Sequence, residues 1–351
     1  DVSVKEVINL VSNPNFTDGV EKIVDGDFPF PNTAWTLNSG VTVPSAGILD
    51  FNGTAGAYAY QDILTAGNSY KVTIEVATTS LDTLVVYLGA VNAIYSSVVA
   101  ADTTIVIYGV AGGLDNQFYI GNWEGTITNV SVKELGADWD VLDETCTFGE
   151  YGLTMTSTEA ADVRIRTNGG IVADSTSYKV TYTINDVDLT GTNAIQYYTG
   201  SALNAYDDLP EQGIGTHTFY YTTPSTITST FWFFRLDLRG GSTSTTDFVT
   251  ISSISVQELG EGWTLTSGAS ITALGAKITH TPTAGTITQY SDIVIGKSYK
   301  FTYEITETVS GGLKINNAVT TTMVTSVGTH TRYFEADSSF LQISRTSAVD
   351  N

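Results

Sequence analysis

The chain opens on a heptapeptide that occurs twice more: Asp1-Val2-Ser3-Val4-Lys5-Glu6-Val7 is a near copy of Asn129-Val130-Ser131-Val132-Lys133-Glu134-Leu135 and of Ser253-Ile254-Ser255-Val256-Gln257-Glu258-Leu259. Apolar and polar side chains alternate in all three, the period-two signature of a strand with one buried face. The later two copies each close a domain-sized stretch. The first copy closes nothing that precedes it, and the sequence stops at Asp350-Asn351, where a further copy is due. One domain is therefore expected to lack its closing strand, and one closing strand to lack its domain.

Other landmarks recur between these copies in a fixed order. A Tyr-Lys strand appears three times, as Ser69-Tyr70-Lys71-Val72-Thr73-Ile74-Glu75-Val76, Ser177-Tyr178-Lys179-Val180-Thr181-Tyr182-Thr183-Ile184 and Ser298-Tyr299-Lys300-Phe301-Thr302-Tyr303-Glu304-Ile305. A Trp opens each unit, at Trp35, Trp139 and Trp263, lying 35, 39 and 36 residues ahead of the repeated Tyr. Gly215-Thr216-His217-Thr218 answers Gly328-Thr329-His330-Thr331, a turn feeding another strand, and the first unit has the looser Ala101-Asp102-Thr103-Thr104 there. Order and spacing divide the chain into an orphan strand over 1–7 and units over 8–136, 137–260 and 261–351. Gly136 and Gly260 are the hinges, and the next unit starts within three residues of each, too short a linker for free swing. Residues 8–34 form an extra leading segment, with Asn13-Pro14-Asn15-Phe16 and Asp25-Gly26-Asp27-Phe28-Pro29, expected to supply a loop and first strand and to brace a neighbour.

Composition sets the class. Amphipathic helical stretches are hard to find, Met is used only 2 times, and Thr, Ser, Gly, Val and Tyr dominate, so the chain is expected to be all-β. A net charge of −22 argues against nucleic acid, whose binding needs Lys and Arg on phosphates, and against an anionic membrane surface. No apolar run reaches membrane-spanning length, so no membrane insertion is expected. An acidic exterior suits an extracellular setting, where salt screens charge beyond about 8 Å. Cys146 stands alone, which excludes an intrachain disulfide and a Cys-built zinc site and leaves a small buried apolar residue.

Short alternating strands punctuated by turns imply tandem antiparallel β-sandwiches of jelly-roll type arranged as a rod, with a barrel as the weaker alternative. The opening Trp, the Tyr-Lys-Val-Thr-Tyr strand and the closing Val-Ser-Val-Lys-Glu-Leu together resemble tandem carbohydrate-binding-module-like repeats, over nearly the whole chain. That resemblance associates the chain with tail-fibre and other virion structural proteins of bacteriophages and with bacterial surface fibres. It implies a non-enzymatic structural subunit of an extended fibre or appendage, its partners being copies of itself head to tail. The alternative it leaves is a glycan-binding adhesin or accessory module that meets cell-surface glycans.

Candidate site residues follow from these two readings. Sugar binding needs exposed rings to stack on a pyranose, and the densest aromatic groups are Tyr197-Tyr198 with Tyr206, Tyr220-Tyr221, and Phe231-Trp232-Phe233-Phe234. Adjacent residues of a strand point oppositely, so either Trp232 and Phe234 face outward or Phe231 and Phe233 do. Asp186 and Asp188 could supply oxygens to the structural Ca²⁺ that carbohydrate-binding jelly rolls hold, with solvated loop acids as the plainer reading, since no EF-hand loop is present. Sequons stand at Asn15, Asn52 and Asn129. Catalysis finds little: His217 and His330 occupy equivalent turns, which favours a structural role, and His280 has no evident partner. No cofactor is expected beyond that ion.

The assembly residues are Val2, Val4 and Glu6, with the third-unit edge near Asn351 as acceptor. About five backbone hydrogen bonds at roughly 1 kcal/mol each and two buried valines at roughly 1.5–3 kcal/mol each oppose an ordering cost of roughly 7–14 kcal/mol for seven residues. A lone strand about breaks even. Either a wider contact supports its donation, or the 351 residues are one window on a longer tandem array.

Overall fold

The computed structural model describes residues 10–11, 15–16, 19–77, 82–89, 93–99, 103–113, 115–143, 145–157, 162–200, 205–238, 246–260, 262–266, 268–272, 274–279, 285–290, 293–308, 311–316 and 321–346. Every strand pairing among them is antiparallel, and no helix is long and apolar enough to cross a membrane. The molecule is all-β, a series of jelly-roll sandwiches.

Strands β1 to β11 run Gly19–Glu21, Thr36–Leu37, Val41–Ser45, Ile48–Asn52, Tyr58–Asp62, Ser69–Val76, Thr83–Leu88, Ala93–Val98, Thr103–Val110, Gln117–Gly121 and Glu124–Leu135. They form a sheet in the order β3-β4-β11-β6-β9, with β1 beside β11, facing a sheet in the order β2-β5-β10-β7-β8. The alternation in the Tyr-Lys strand places Tyr70, Val72, Ile74 and Val76 in the core between the sheets, where burying such side chains is worth roughly 1.5–3 kcal/mol each.

The second sandwich repeats the plan. Its strands β12 to β21 run Trp139–Val141, Cys146–Gly149, Gly152–Thr156, Val163–Thr167, Ser177–Asp188, Ala194–Tyr198, Tyr206–Asp208, Gly215–Thr222, Phe233–Asp237 and Phe248–Leu259. The sheets are β13-β14-β21-β16-β19 and β12-β15-β20-β17-β18. The closing motif lies on β11 in one sandwich and on β21 in the other, and in both it is a central strand, flanked by the Tyr-Lys strand on one side and a hairpin on the other. Cys146 is buried in this core, where burial pushes its thiol up to about 12, as a structural rather than a reactive cysteine should be.

In the third unit, β22 to β30 run Trp263–Leu265, Ala269–Thr272, Gly275–Ile278, Thr286–Gln289, Ser298–Ile305, Leu313–Ile315, Thr321–Thr322, Gly328–Glu335 and Leu341–Arg345. One sheet is whole, in the order β22-β25-β30-β27-β28. The other is split into the pairs β23-β24 and β26-β29. Among the described residues no strand stands where β11 and β21 stand in the other two. The open position is thus inside a sheet rather than at the edge expected from sequence, because a jelly roll places its last strand between the first hairpin and the middle strand.

Candidate functional site

The open position is lined on one side by β26. In the first two sandwiches the core-facing residues of the Tyr-Lys strand, Tyr70, Val72 and Ile74, and Tyr178, Val180 and Tyr182, are at most 1% exposed. Their counterparts Tyr299, Phe301 and Tyr303 are only half-buried. One local bond is the same in all three. The Tyr hydroxyl accepts the backbone N–H of the residue five earlier in all three sandwiches, Thr65 to Tyr70 at 2.8 Å, Ala173 to Tyr178 at 2.8 Å and Val294 to Tyr299 at 2.7 Å. Among the described residues no strand covers these rings in the third unit, and a sheet face left open in this way is a template for another strand.

Register carries over from the complete sandwiches. Val256 faces Val180 and Leu259 faces Ser177, so a closing strand in the slot would set its first valine pair against Tyr303 and Phe301 and its last residue against Ser298. The hairpin β13-β14 meets only Phe248–Ile251 of β21, ahead of the heptapeptide, so the heptapeptide's registers belong to the β26 side. Val2, Val4, Glu6 and Asn351 lie outside the described residues.

The joints between sandwiches also repeat. Ser69, which starts the Tyr-Lys strand, accepts the backbone N–H of Phe148 at 3.0 Å, and Ser177 accepts that of Ile271 at 3.1 Å. Phe148 and Ile271 occupy the same place on β13 and β23. The hinge glycines have φ of 66° at Gly136 and 70° at Gly260. A side chain at Gly136 would strike the Phe148 ring at 2.3 Å, and one at Gly260 would meet Ile271 at 3.0 Å. Ser298, the third member of the series, is exposed.

The leading segment bears a smaller repeat that sequence reasoning missed. Leu10 donates its N–H to the Val256 carbonyl at 2.8 Å, and twelve residues on Lys22 donates to the equivalent Val132 carbonyl at 2.8 Å. Val11 and Ile23 follow, both buried. Phe16 and Phe28, each six residues after its anchor, are fully buried with φ of 57° and 51°. Phe16 packs on Trp139 with ring centroids 5.2 Å apart and Phe28 on Trp35 at 5.5 Å. Positive φ is costly for a bulky residue, and full burial against the opening Trp holds each ring there. The segment is a strap with two aromatic plugs, one in each of the first two sandwiches, which answers the expected bracing. The signal was the pair Asn15-Phe16 and Asp27-Phe28, twelve residues apart.

The expected sugar platform needs correction. Trp232 is fully buried and packs edge-on against Phe234 at 4.7 Å, so it offers no surface. Pairing with β15 and β17 turns Phe234 toward the core and Phe233 outward. Tyr197 also belongs to the core, and Tyr198 is buried with its hydroxyl paired to Thr228. Tyr206 is half-buried beneath the Arg235 guanidinium, 4.2 Å from its ring centroid. Arg235 is in turn held by Gln196 at 2.9 Å, Asp162 at 3.0 Å and Asp237 at 3.1 Å. A charge network thus covers the rings on that face.

An open aromatic row exists instead on the first sandwich. Tyr60, Tyr119 and Tyr87 stand side by side across β5, β10 and β7, with Tyr58 against Tyr119 at 5.0 Å and Tyr87 against Tyr119 at 5.2 Å. All four are half-buried on the face away from the core, and burial, with Tyr87 and Tyr58 adding to it, pushes the Tyr119 phenol up. A search for adjacent aromatics passes over them, because outward residues of a strand are two apart, as in Tyr58-Ala59-Tyr60.

The remaining candidates resolve locally. Asp186 and Asp188 share the exposed face of β16, and Asp186 accepts from the Val187 N–H at 2.9 Å. Among the described residues no three His, Cys, Asp or Glu side chains are grouped to hold a metal ion. The acid that matters to this sandwich is Asp247, fully buried and accepting from the Thr190 hydroxyl at 2.8 Å and the Asn193 amide at 2.6 Å. His217 and His330 behave as equivalents, paired with the carbonyls of Gly213 at 2.8 Å and Ser326 at 2.7 Å and lying over Tyr182 and Tyr303. His280 lies outside the described residues. Of the sequons, Asn15 is exposed, Asn52 is exposed and binds its own Thr54 at 2.7 Å, and Asn129 is half-buried on β11.

No family model matches this chain, and no curated protein matches it. Solved structures similar to it include the tandem CBM22 pair of Xyn10C from Paenibacillus barcinonensis, at 10% identity and a TM-score of 0.26, covering 69% of this chain and 98% of that one. The tandem CBM51 modules of the family 98 glycoside hydrolase Sp3GH98 from Streptococcus pneumoniae are similar at 9% identity and a TM-score of 0.23, covering 71% and 95%. A chain of Sulfolobus Turreted Icosahedral Virus is similar at 14% identity and a TM-score of 0.21, covering 89% of each.

Proposed function

We propose that the chain is a non-enzymatic structural subunit of an extended extracellular fibre or appendage, joined head to tail by a closing-type strand entering the third sandwich. The observation that carries this reading is the slot beside β26, where among the described residues no core strand stands and the apolar neighbours are half-exposed. The Asp1–Val7 copy of the closing motif supplies a strand of the required pattern. The slot also alters the energetic balance drawn from sequence. A strand seated there would bury Tyr299, Phe301 and Tyr303 further as well as its own valines, and each large side chain adds a gain of order 1 kcal/mol. The repeated serine and glycine joints support stacking of sandwiches in one direction. Sedimentation and imaging of the chain over a range of concentrations test the reading: rods that lengthen with concentration are expected, and compact monomers at all concentrations would refute it.

A second reading has its own observation, the row Tyr58, Tyr60, Tyr119 and Tyr87. Rings spaced along a sheet face suit stacking on sugars, and they point to glycan binding by the first sandwich. A glycan array on the intact chain and on Tyr119→Ala tests it, since saturable binding should fall at least tenfold in the variant. Binding that survives Tyr119→Ala would remove the row from the account.

A further inference from the structure

The strap and the slot constrain each other. Ser69 and Ser177 each mark the end of a sandwich that abuts the next one, so Ser298 marks the end of the third sandwich farthest from the second. A donated heptapeptide must place Val7 opposite Ser298, as Leu259 is placed opposite Ser177. Leu10, however, is tied to Val256 inside the second sandwich. Three peptide steps separate Val7 from Leu10, a reach of about 11 Å. The eight residues of β26 alone extend roughly 26 Å.

Direction opposes self-closure as well. The strap runs antiparallel to the closing strands, as β1 does to β11, and the closing strands run antiparallel to the Tyr-Lys strands. Chain that continued the strap toward the third sandwich would therefore lie parallel to β26. A closing strand must lie antiparallel to it.

We propose that the strap Leu10–Phe28, held by its Phe16 and Phe28 plugs, makes strand donation intermolecular: the β26 face accepts Asp1–Val7 of a second copy and excludes that of its own chain. This rests on the head-to-tail reading above and names its partner as another molecule of the same chain. It also assigns the plugs a purpose beyond packing.

The test uses the full chain carrying Val4→Cys and Phe301→Cys, the pair that register places opposite each other. Cross-strand partners lie about 4.5–5.5 Å apart at Cα, within disulfide range, and the native Cys146 is buried. A second form adds about twenty Gly and Ser residues between Val7 and Ile8, enough to span the sandwich, and leaves the strap intact. After oxidation at low concentration, the unlengthened form should give a ladder of disulfide-linked dimers and higher species. The lengthened form should give mainly internally linked monomers. Internally linked monomers from the unlengthened form would overturn the proposal, as would a lengthened form that still links only between copies. Linkage in neither form would overturn the head-to-tail reading itself, so the two failures are distinguishable.

Discussion

The second and third sandwiches are built from the same landmarks and, among the described residues, differ by one strand. Both have an opening Trp, a Tyr-Lys strand whose Tyr accepts a loop N–H, and a His over the next Tyr of that strand. In the second, β21 joins the hairpin β13-β14 to β16, and Tyr178, Val180 and Tyr182 are buried. In the third, the hairpin β23-β24 and the pair β26-β29 form but stand apart, and Phe301 and Tyr303 stack on each other at 5.3 Å while still meeting solvent. The local hairpin β23-β24 and the longer-range pair β26-β29 both form with no described strand between them. Full burial of the Tyr-Lys strand is seen only where a described closing strand lies beside it.

The comparison breaks most sharply if the missing strand is supplied. Attaching a copy of Phe248–Leu259 after Asn351 through a short flexible loop should convert the third sandwich to the pattern of the second. Two apolar side chains seated as Ile254 and Val256 are would contribute roughly 3–6 kcal/mol, and hydrogen exchange of the β26 amides facing the slot should slow by at least a hundredfold. Amides that exchange as fast as before would show that the β26 face is not the place of a closing strand.

The next effect separates the plugs from the slot. Phe16→Ala removes a fully buried ring from the second core, at a cost of about 3–5 kcal/mol, and Phe28→Ala should cost a similar amount in the first. Neither variant should change the third sandwich. Thermal unfolding followed by the fluorescence of single-Trp variants retaining Trp35, Trp139 or Trp263 resolves the three. A Phe16→Ala variant that destabilises the first sandwich and spares the second would contradict the strap's placement.

Alkali should find the second sandwich through its tyrosines. Burial pushes the phenols of Tyr182 and Tyr197 up to about 12 from an ordinary 10, offset at Tyr182 by its hydrogen bond to the Glu211 carbonyl and augmented at Tyr197 by Asp207. A folded-state pKa above the unfolded one means that the unfolded chain releases these protons first. Their contribution to stability is therefore full below pH 10 and declines as pH rises from about 10 to about 12. Ultraviolet titration should show phenolate from this sandwich appearing together with its unfolding. Reversible ionisation of both groups near pH 10 with the fold intact would contradict their burial.

How much of this was legible in the sequence depends on the range of the interaction. The Tyr-Lys strands could be read because alternation of Tyr70, Val72 and Ile74 with Lys71, Thr73 and Glu75 needs only one face against a core. The roles of Trp232 and Phe234 could not, since alternation leaves two faces open and only pairing with β15 and β17 chooses between them. The position of the closing strand within its sheet was hidden for the same reason, because strand order is set by long-range contacts. The plugs were hidden by their conformation: a Phe at positive φ in a short polar loop fits neither strand nor helix periodicity, and a twelve-residue repeat within a hundred-residue one is easily passed over.

The smallest effect concerns the joint, where the second and third sandwiches meet as the first and second do. Ser177→Ala removes the acceptor of the Ile271 N–H, and an amide left without a partner at a part-buried site costs about 1–3 kcal/mol. Ser69→Ala should cost at least as much, because the Phe148 N–H it serves is buried. The loss should fall on the coupling between neighbouring sandwiches, bringing their unfolding transitions apart, with a further share inside the second sandwich, where the Ser177 hydroxyl also pairs with that of Thr222 at 2.8 Å. Ser298 provides the control within the same series, being exposed at the outer end of β26. Ser298→Ala should leave the isolated chain unchanged and, if copies stack as the sandwiches do, should weaken only their association. Equal losses in the isolated chain for Ser177→Ala and Ser298→Ala would show that the serine serves the turn before its own strand, and the equivalence of joint and outer end would fall.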